Sequence, residues 1–113
     1  MASDSLFTSY STSLALRDAG APQDGDQFWW IDSITGTGIR CSHPFSNPKT
    51  HSRAFRSDEI IEALGDRFSS ILQPSPGTWK VTVYTPTDFH RSRATSLVEA
   101  LAAAWLAVLA GAK

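Results

Sequence analysis

The sequence predicts a single small α+β domain over residues 1–113, in the order α-β-β-α-β-β-α, with an antiparallel sheet of about four strands covered by helices. Three observations carry that expectation. The segment TWKVTVY (78–84) sets Trp79, Val81 and Val83 against Lys80, Thr82 and Tyr84, the period-two alternation of a strand with one buried face. FWWID (28–32) is aromatic and β-branched, and a turn region ending at Gly36 separates it from a second strand-like run at 37–42, as in a hairpin. Finally, Leu97, Leu101, Ala104, Trp105 and Val108 recur at helical spacing behind Ser96-Leu97-Val98-Glu99, which has the form of a capping box.

The elements follow in order. A first helix is expected over 6–19, ended by Gly20, which suits the left-handed position after a helix, and by Pro22. Asp24-Gly25-Asp26 is turn chemistry, and the first hairpin follows it. The stretch SNPKTHSRAFR has no periodicity and reads as a loop. A second helix begins at Ser57-Asp58-Glu59, with an oxygen-bearing cap and acids in its first turn, buries Ile60, Ile61 and Leu64, and ends at Gly65. A second hairpin is preferred to a longer helix beyond Gly65: a strand at 68–72, a Pro-Ser-Pro-Gly turn, and the strand at 78–84. PTDFHRSRAT reads as a loop into the last helix.

At 113 residues the chain is long enough for a core without metals or disulfides, and Cys41 is its only cysteine. The formal net charge of -1 argues against a strong global field drawing the whole molecule to nucleic acid or membrane. The beginning, MASDSLFTSYSTS, has neither a basic n-region nor a long apolar run. The closing apolar stretch, 97–112, is shorter than the roughly 20 residues a spanning helix needs. The expectation is therefore a cytoplasmic protein with no membrane role. The small outer face of the last helix leaves room for self-association into a homo-oligomer.

Four segments carry a family resemblance: TSLALRDAGAPQDGDQFWW, FRSDEIIEALGDRF, GTWKVTVY and ATSLVEALAAAWLAVL. In them the chain resembles small phage and prophage proteins grouped with the phage ABA-sandwich domain. The resemblance implies a fold and a phage or prophage setting, hence the cytoplasm of a host cell. It implies no catalytic residue, because the shared features are helix and strand signals. The long basic loop PFSNPKTHSRAFR and the short polar PTDFHRSR depart from the pattern.

The near-zero net charge hides an asymmetry. Residues 1–35 hold five acids and one base, whereas 36–56 hold four bases, His43, His51 and no acid. HSRAFR and HRSR each run into an expected helix start, at Ser57 and Ser96. Free N–H groups and partial positive charge at a helix N-terminus favour anions, and arginine adds planar paired donors suited to phosphate. The candidate ligand-binding residues are accordingly His51, Arg53, Arg56, His90, Arg91 and Arg93, with Trp29 or Trp30 as a stacking surface. The competing reading makes these solvated loop residues, with Arg53 and Arg56 pairing only with Asp58, Glu59 or Glu62.

Other constellations are weaker. Cys41, His43, His51 and His90 match no zinc spacing, Cys41 with a histidine is a poor nucleophile pair in a strand, and Asp24, Asp26 and Asp32 suit turns. The expectation is a non-enzymatic phage or prophage accessory protein with no cofactor, acting by binding. Its expected role is counter-defence, by sequestering a phosphate-bearing, nucleotide-type ligand. The alternative is a protein–protein inhibitor or assembly factor that binds a host or phage protein, and a small enzyme ranks last.

Overall fold

The computed structural model describes residues 7–23, 27–31, 38–41, 52–85 and 87–111; of Trp30, Ile31 and 38–41 it describes the backbone alone. The order is α1 (Tyr10–Asp18), β1 (Phe28–Ile31), β2 (Gly38–Cys41), β3 (Ser52–Arg53), α2 (Ser57–Leu64), β4 (Phe68–Ser75), β5 (Thr78–Tyr84), β6 (Phe89–Ala94) and α3 (Leu97–Gly111). The α+β class holds, with three helices and two antiparallel sheets among the described residues. The single sheet of about four strands does not. β2-β1-β3 form one sheet, with β3 only two residues long, and β4-β5-β6 form the other.

Local chemistry sets most boundaries. α1 starts later than expected because residues 7–8 run beside 55–56 instead: Phe7 bridges Arg56, and Thr8 N–H donates to Phe55 O at 2.8 Å. Ser9 is the N-cap, accepting from Thr12 N–H. At the other end Gly20 has φ +104°, Gly20 N–H donates to Arg17 O and Ala21 N–H to Leu16 O, which is a Schellman motif. The N-cap of α2 lies one residue before the expected Ser57: it is Arg56, and Glu59 accepts from Arg56 N–H at 2.8 Å. It ends at Gly65, followed by a one-turn 3₁₀ segment over Gly65–Arg67.

β4 runs through Pro74, which an edge strand tolerates, and joins β5 through Pro76-Gly77, where Gly77 has φ +78°. The segment read as a loop, FHRSRA, is β6. It pairs in unbroken antiparallel register with β5, from Trp79↔Ala94 to Tyr84↔Phe89. Only Ser92 of this strand is buried, so its alternation is nearly invisible in the sequence.

α3 lies at the centre of the molecule rather than covering one sheet. It packs against β5 and β6 and also against α1 and α2. Ala100, Ala102 and Ala104 are each fully buried, because small side chains let elements on several sides approach the helix axis closely. The bare alanine face shrinks to Ala103 and Ala110, with Ala107 half-buried. One core unites Leu16, Phe55, Ile60, Leu64, Val81, Val83, Val98, Leu101 and Trp105. Under α1 a second, polar layer is satisfied internally. Thr8 Oγ1 and Ser13 Oγ lie 2.6 Å apart, Phe55 N–H donates to Thr8 Oγ1, Ser52 Oγ donates to Ser13 O, and Trp29 Nε1–H donates to Thr8 O.

Glu99 ties the last helix to the first. Ser96 Oγ accepts from Glu99 N–H, as the capping-box pattern predicts, but the Glu99 carboxylate does not turn back to its own helix start. It accepts from Ser9 N–H at 3.0 Å and from Thr12 Oγ1 at 2.6 Å. Glu99 thus supplies from α3 the carboxylate that a capping box within α1 would need at Thr12, and places negative charge at the positive end of α1. Glu99→Ala is expected to cost about 1–2 kcal/mol in urea denaturation. A loss below roughly 0.3 kcal/mol would refute the cross-helix cap, since cap removals normally cost more than that.

Candidate binding face

The residues expected to form one phosphate site fall in two sheets. Arg53 is on β3 and His90, Arg91 and Arg93 are on β6. His51 lies outside the described residues.

Arg53 is committed to structure. Its side chain is 14% exposed and makes a 3.0 Å salt bridge with Glu59. Its guanidinium lies 4.4 Å from the centre of the Phe55 ring, and Nη1 donates to Pro22 O. Arg56 reaches Asp58 at 3.5 Å and Glu59 at 3.8 Å. The competing reading of these two arginines, as partners of the α2 acids, is therefore the observed one. The N-terminus of α2 is also filled from within, because the Glu59 carboxylate sits where an anion would bind.

Trp29 offers no stacking face. It is 9% exposed, its Nε1–H is spent on Thr8 O, and its ring meets Tyr10 edge-on. Phe28 beside it is buried too, so both faces of β1 are covered at this end. The side chain of Trp30 lies outside the described set.

Arg91 and Arg93 are differently placed. In the β4-β5-β6 sheet, Ile71, Trp79, Val81, Val83, Ser92 and Ala94 occupy one face, toward α3, and His90 shares that register at the outer end. The opposite face carries three cross-strand pairs: Lys80↔Arg93, Thr82↔Arg91 and Tyr84↔Phe89. β4 extends the first two rows with Leu72 beside Lys80 and Ser70 beside Thr82. Arg91 and Arg93 are exposed, as are Tyr84 at 51%, Phe89 at 48% and Leu72 at 52%. The Arg91 guanidinium rests 4.8 Å from the Phe89 ring centre.

The electrostatics of this face are one-sided. None of the three strands contains an aspartate or glutamate. Among the described residues Lys80, Arg91 and Arg93 form no ion pair; the ion pairs are those of Arg17, Arg53 and Arg56. Lys80 and Arg93 stand directly opposite each other, an arrangement that disfavours the sheet by roughly 0.2–1 kcal/mol. The nearest acid along the chain, Asp88, uses Oδ1 to accept from Phe89 N–H at the start of β6.

Sequence reasoning missed Lys80, Tyr84 and Phe89 as candidates. The signal was present for two of them, since the alternation of TWKVTVY already sets Lys80 and Tyr84 on the face away from the core. What was lacking was β6, whose pairing turns isolated outward residues into a ladder. No protein-family model, curated protein or solved structure matches this chain. Among the described residues no helix is long and apolar enough to cross a membrane.

Proposed function

We propose that the protein works by binding rather than by chemistry of its own, and that its ligand is a phosphate-bearing, nucleotide-type anion held on the outer face of β4–β6. The observation that carries this reading is the Lys80–Arg93 pair with Arg91 beside it, on strands that contain no carboxylate. A bound phosphate would relieve the repulsion between those cations, and arginine presents paired donors to it. Tyr84 and Phe89 add apolar rings at the end of the same ladder. The phage or prophage setting, and a counter-defence role there, belong to the same proposal and rest on the resemblance of four segments alone.

Titration with nucleoside mono-, di- and triphosphates at millimolar concentration, followed by amide chemical shifts, tests the reading. The expected perturbations fall on Lys80, Thr82, Arg91 and Arg93 and disappear in Arg91→Glu/Arg93→Glu. Perturbations centred on Arg53 and Arg56 would remove this face from the function, and none at all would exclude a nucleotide as its ligand. A second reading, contact with an acidic segment of a host or phage protein, draws on the same cations and on exposed Leu72. It gives the same loss in the double variant but no response to nucleotides.

A further inference from the structure

We infer that the occupant of this face is a single-stranded nucleic acid lying across the sheet, not a free nucleotide. The inference rests on the face being a phosphate-binding surface, and it narrows the class of ligand by shape. A small ligand is normally held in a concave site that buries most of its surface. Here the contact groups project from an open sheet: Tyr84 and Phe89 are about half exposed and Arg91 and Arg93 are exposed. An exposed ladder of this kind does not enclose a mononucleotide, but a polymer gathers many modest contacts along such a surface.

The layout of the ladder suits an unpaired strand. Successive rows of the same face are about 7 Å apart along the strands, and directly opposite side chains are about 5 Å apart. The aromatic row Tyr84–Phe89 therefore stands next to Thr82–Arg91, with Lys80–Arg93 beyond it. Exposed rings beside cations let a base stack while its flanking phosphates meet arginine and lysine. Bases already stacked in a duplex cannot use the rings in this way. Thr82 and Ser70 add hydroxyls between the charged and aromatic positions.

Fluorescence anisotropy with a labelled short oligothymidylate tests this on the full chain. The oligonucleotide is expected to bind at least tenfold more tightly than thymidine monophosphate competes, with log K falling linearly against log salt by about 0.7 per phosphate contacted. Arg91→Ser and Arg93→Ser should each reduce that slope by about 0.7, whereas Phe89→Ser should weaken binding about tenfold with the slope unchanged. These side chains are exposed, so circular dichroism and melting of each variant are expected to be unchanged and serve as the check on folding. If nucleotides perturb the β5 and β6 amides but the oligonucleotide competes no better than the monophosphate, this inference fails and the broader reading stands. A duplex of equal length binding as tightly overturns it, and so does polyglutamate competing as well as the oligonucleotide. If no phosphate-bearing probe binds, both fall.

Discussion

Phe55→Ala is expected to lower the unfolding free energy by about 3–5 kcal/mol, a large part of the 5–15 kcal/mol typical of a domain. The ring is 1% exposed and stands edge-on to Trp105, with centroids 5.0 Å apart and planes at 89°. The Arg53 guanidinium also lies over the ring, 4.4 Å from its centre. It therefore joins the β3 segment to the central helix. Truncation opens a cavity between them and also removes the platform on which Arg53 is held. The Phe55 backbone is fixed separately by Thr8, through Phe55 N–H to Thr8 Oγ1 and Thr8 N–H to Phe55 O, so the surrounding chain cannot easily collapse into the space. Urea denaturation of Phe55→Ala beside Phe55→Leu checks this, the leucine variant being expected to lose less than about half as much. A loss under 1 kcal/mol for the alanine variant would show that the ring is not the link.

Glu59→Ala is the second large effect, at about 2–4 kcal/mol. Two separate contributions meet in this carboxylate. It accepts from Arg56 N–H at the start of α2, a cap worth about 1 kcal/mol, and it neutralises the nearly buried Arg53. Arg53 Nε is already buried without a hydrogen-bond partner among the described residues, so removing Glu59 leaves a poorly solvated cation. A double-mutant cycle separates the two. In an Arg53→Met background, which retains an apolar stem over Phe55, Glu59→Ala should cost only the cap and the long, half-exposed Arg56 contact, together about 1–1.5 kcal/mol. Additivity of the single losses to within roughly 0.5 kcal/mol would mean that the pair contributes nothing.

Arg53 also shows why the candidate site was only half legible. Its sequence neighbourhood, HSRAFRSDE, supports both a phosphate contact and an ion pair with the following acids. What separates the two is the Phe55 ring beneath the guanidinium and Pro22 O beside it. Pro22 is 31 residues away in the chain. Arg91 and Arg93, candidate phosphate contacts from the sequence, are exposed, and the lysine that completes their row, Lys80, belongs to another strand. Their segment has the look of a loop in the sequence because a strand whose inner side offers only Ser92 and Ala94 carries almost no apolar signal. Likewise Glu99 in its Ser96-Leu97-Val98-Glu99 frame predicts a helix start correctly, yet its carboxylate serves a helix 90 residues earlier.

Local chemistry along the chain is enough for the α+β class, the stop of α1 at Gly20 and Pro22, the end of α2 at Gly65, the one-sided strand β5 and the capped start of α3. Each depends on chemistry within a few residues: a positive φ that glycine adopts cheaply, a hydroxyl within reach of a free N–H, a period of two or 3.6. Only the assembled fold makes FHRSRA a strand, sets α3 at the centre, consumes Arg53 and Trp29 inside the molecule, and brings Lys80, Arg91 and Arg93 onto one face. Those outcomes depend on which distant segments pair. Pairing is set by burial and hydrogen-bond satisfaction across the whole chain, which no local pattern records.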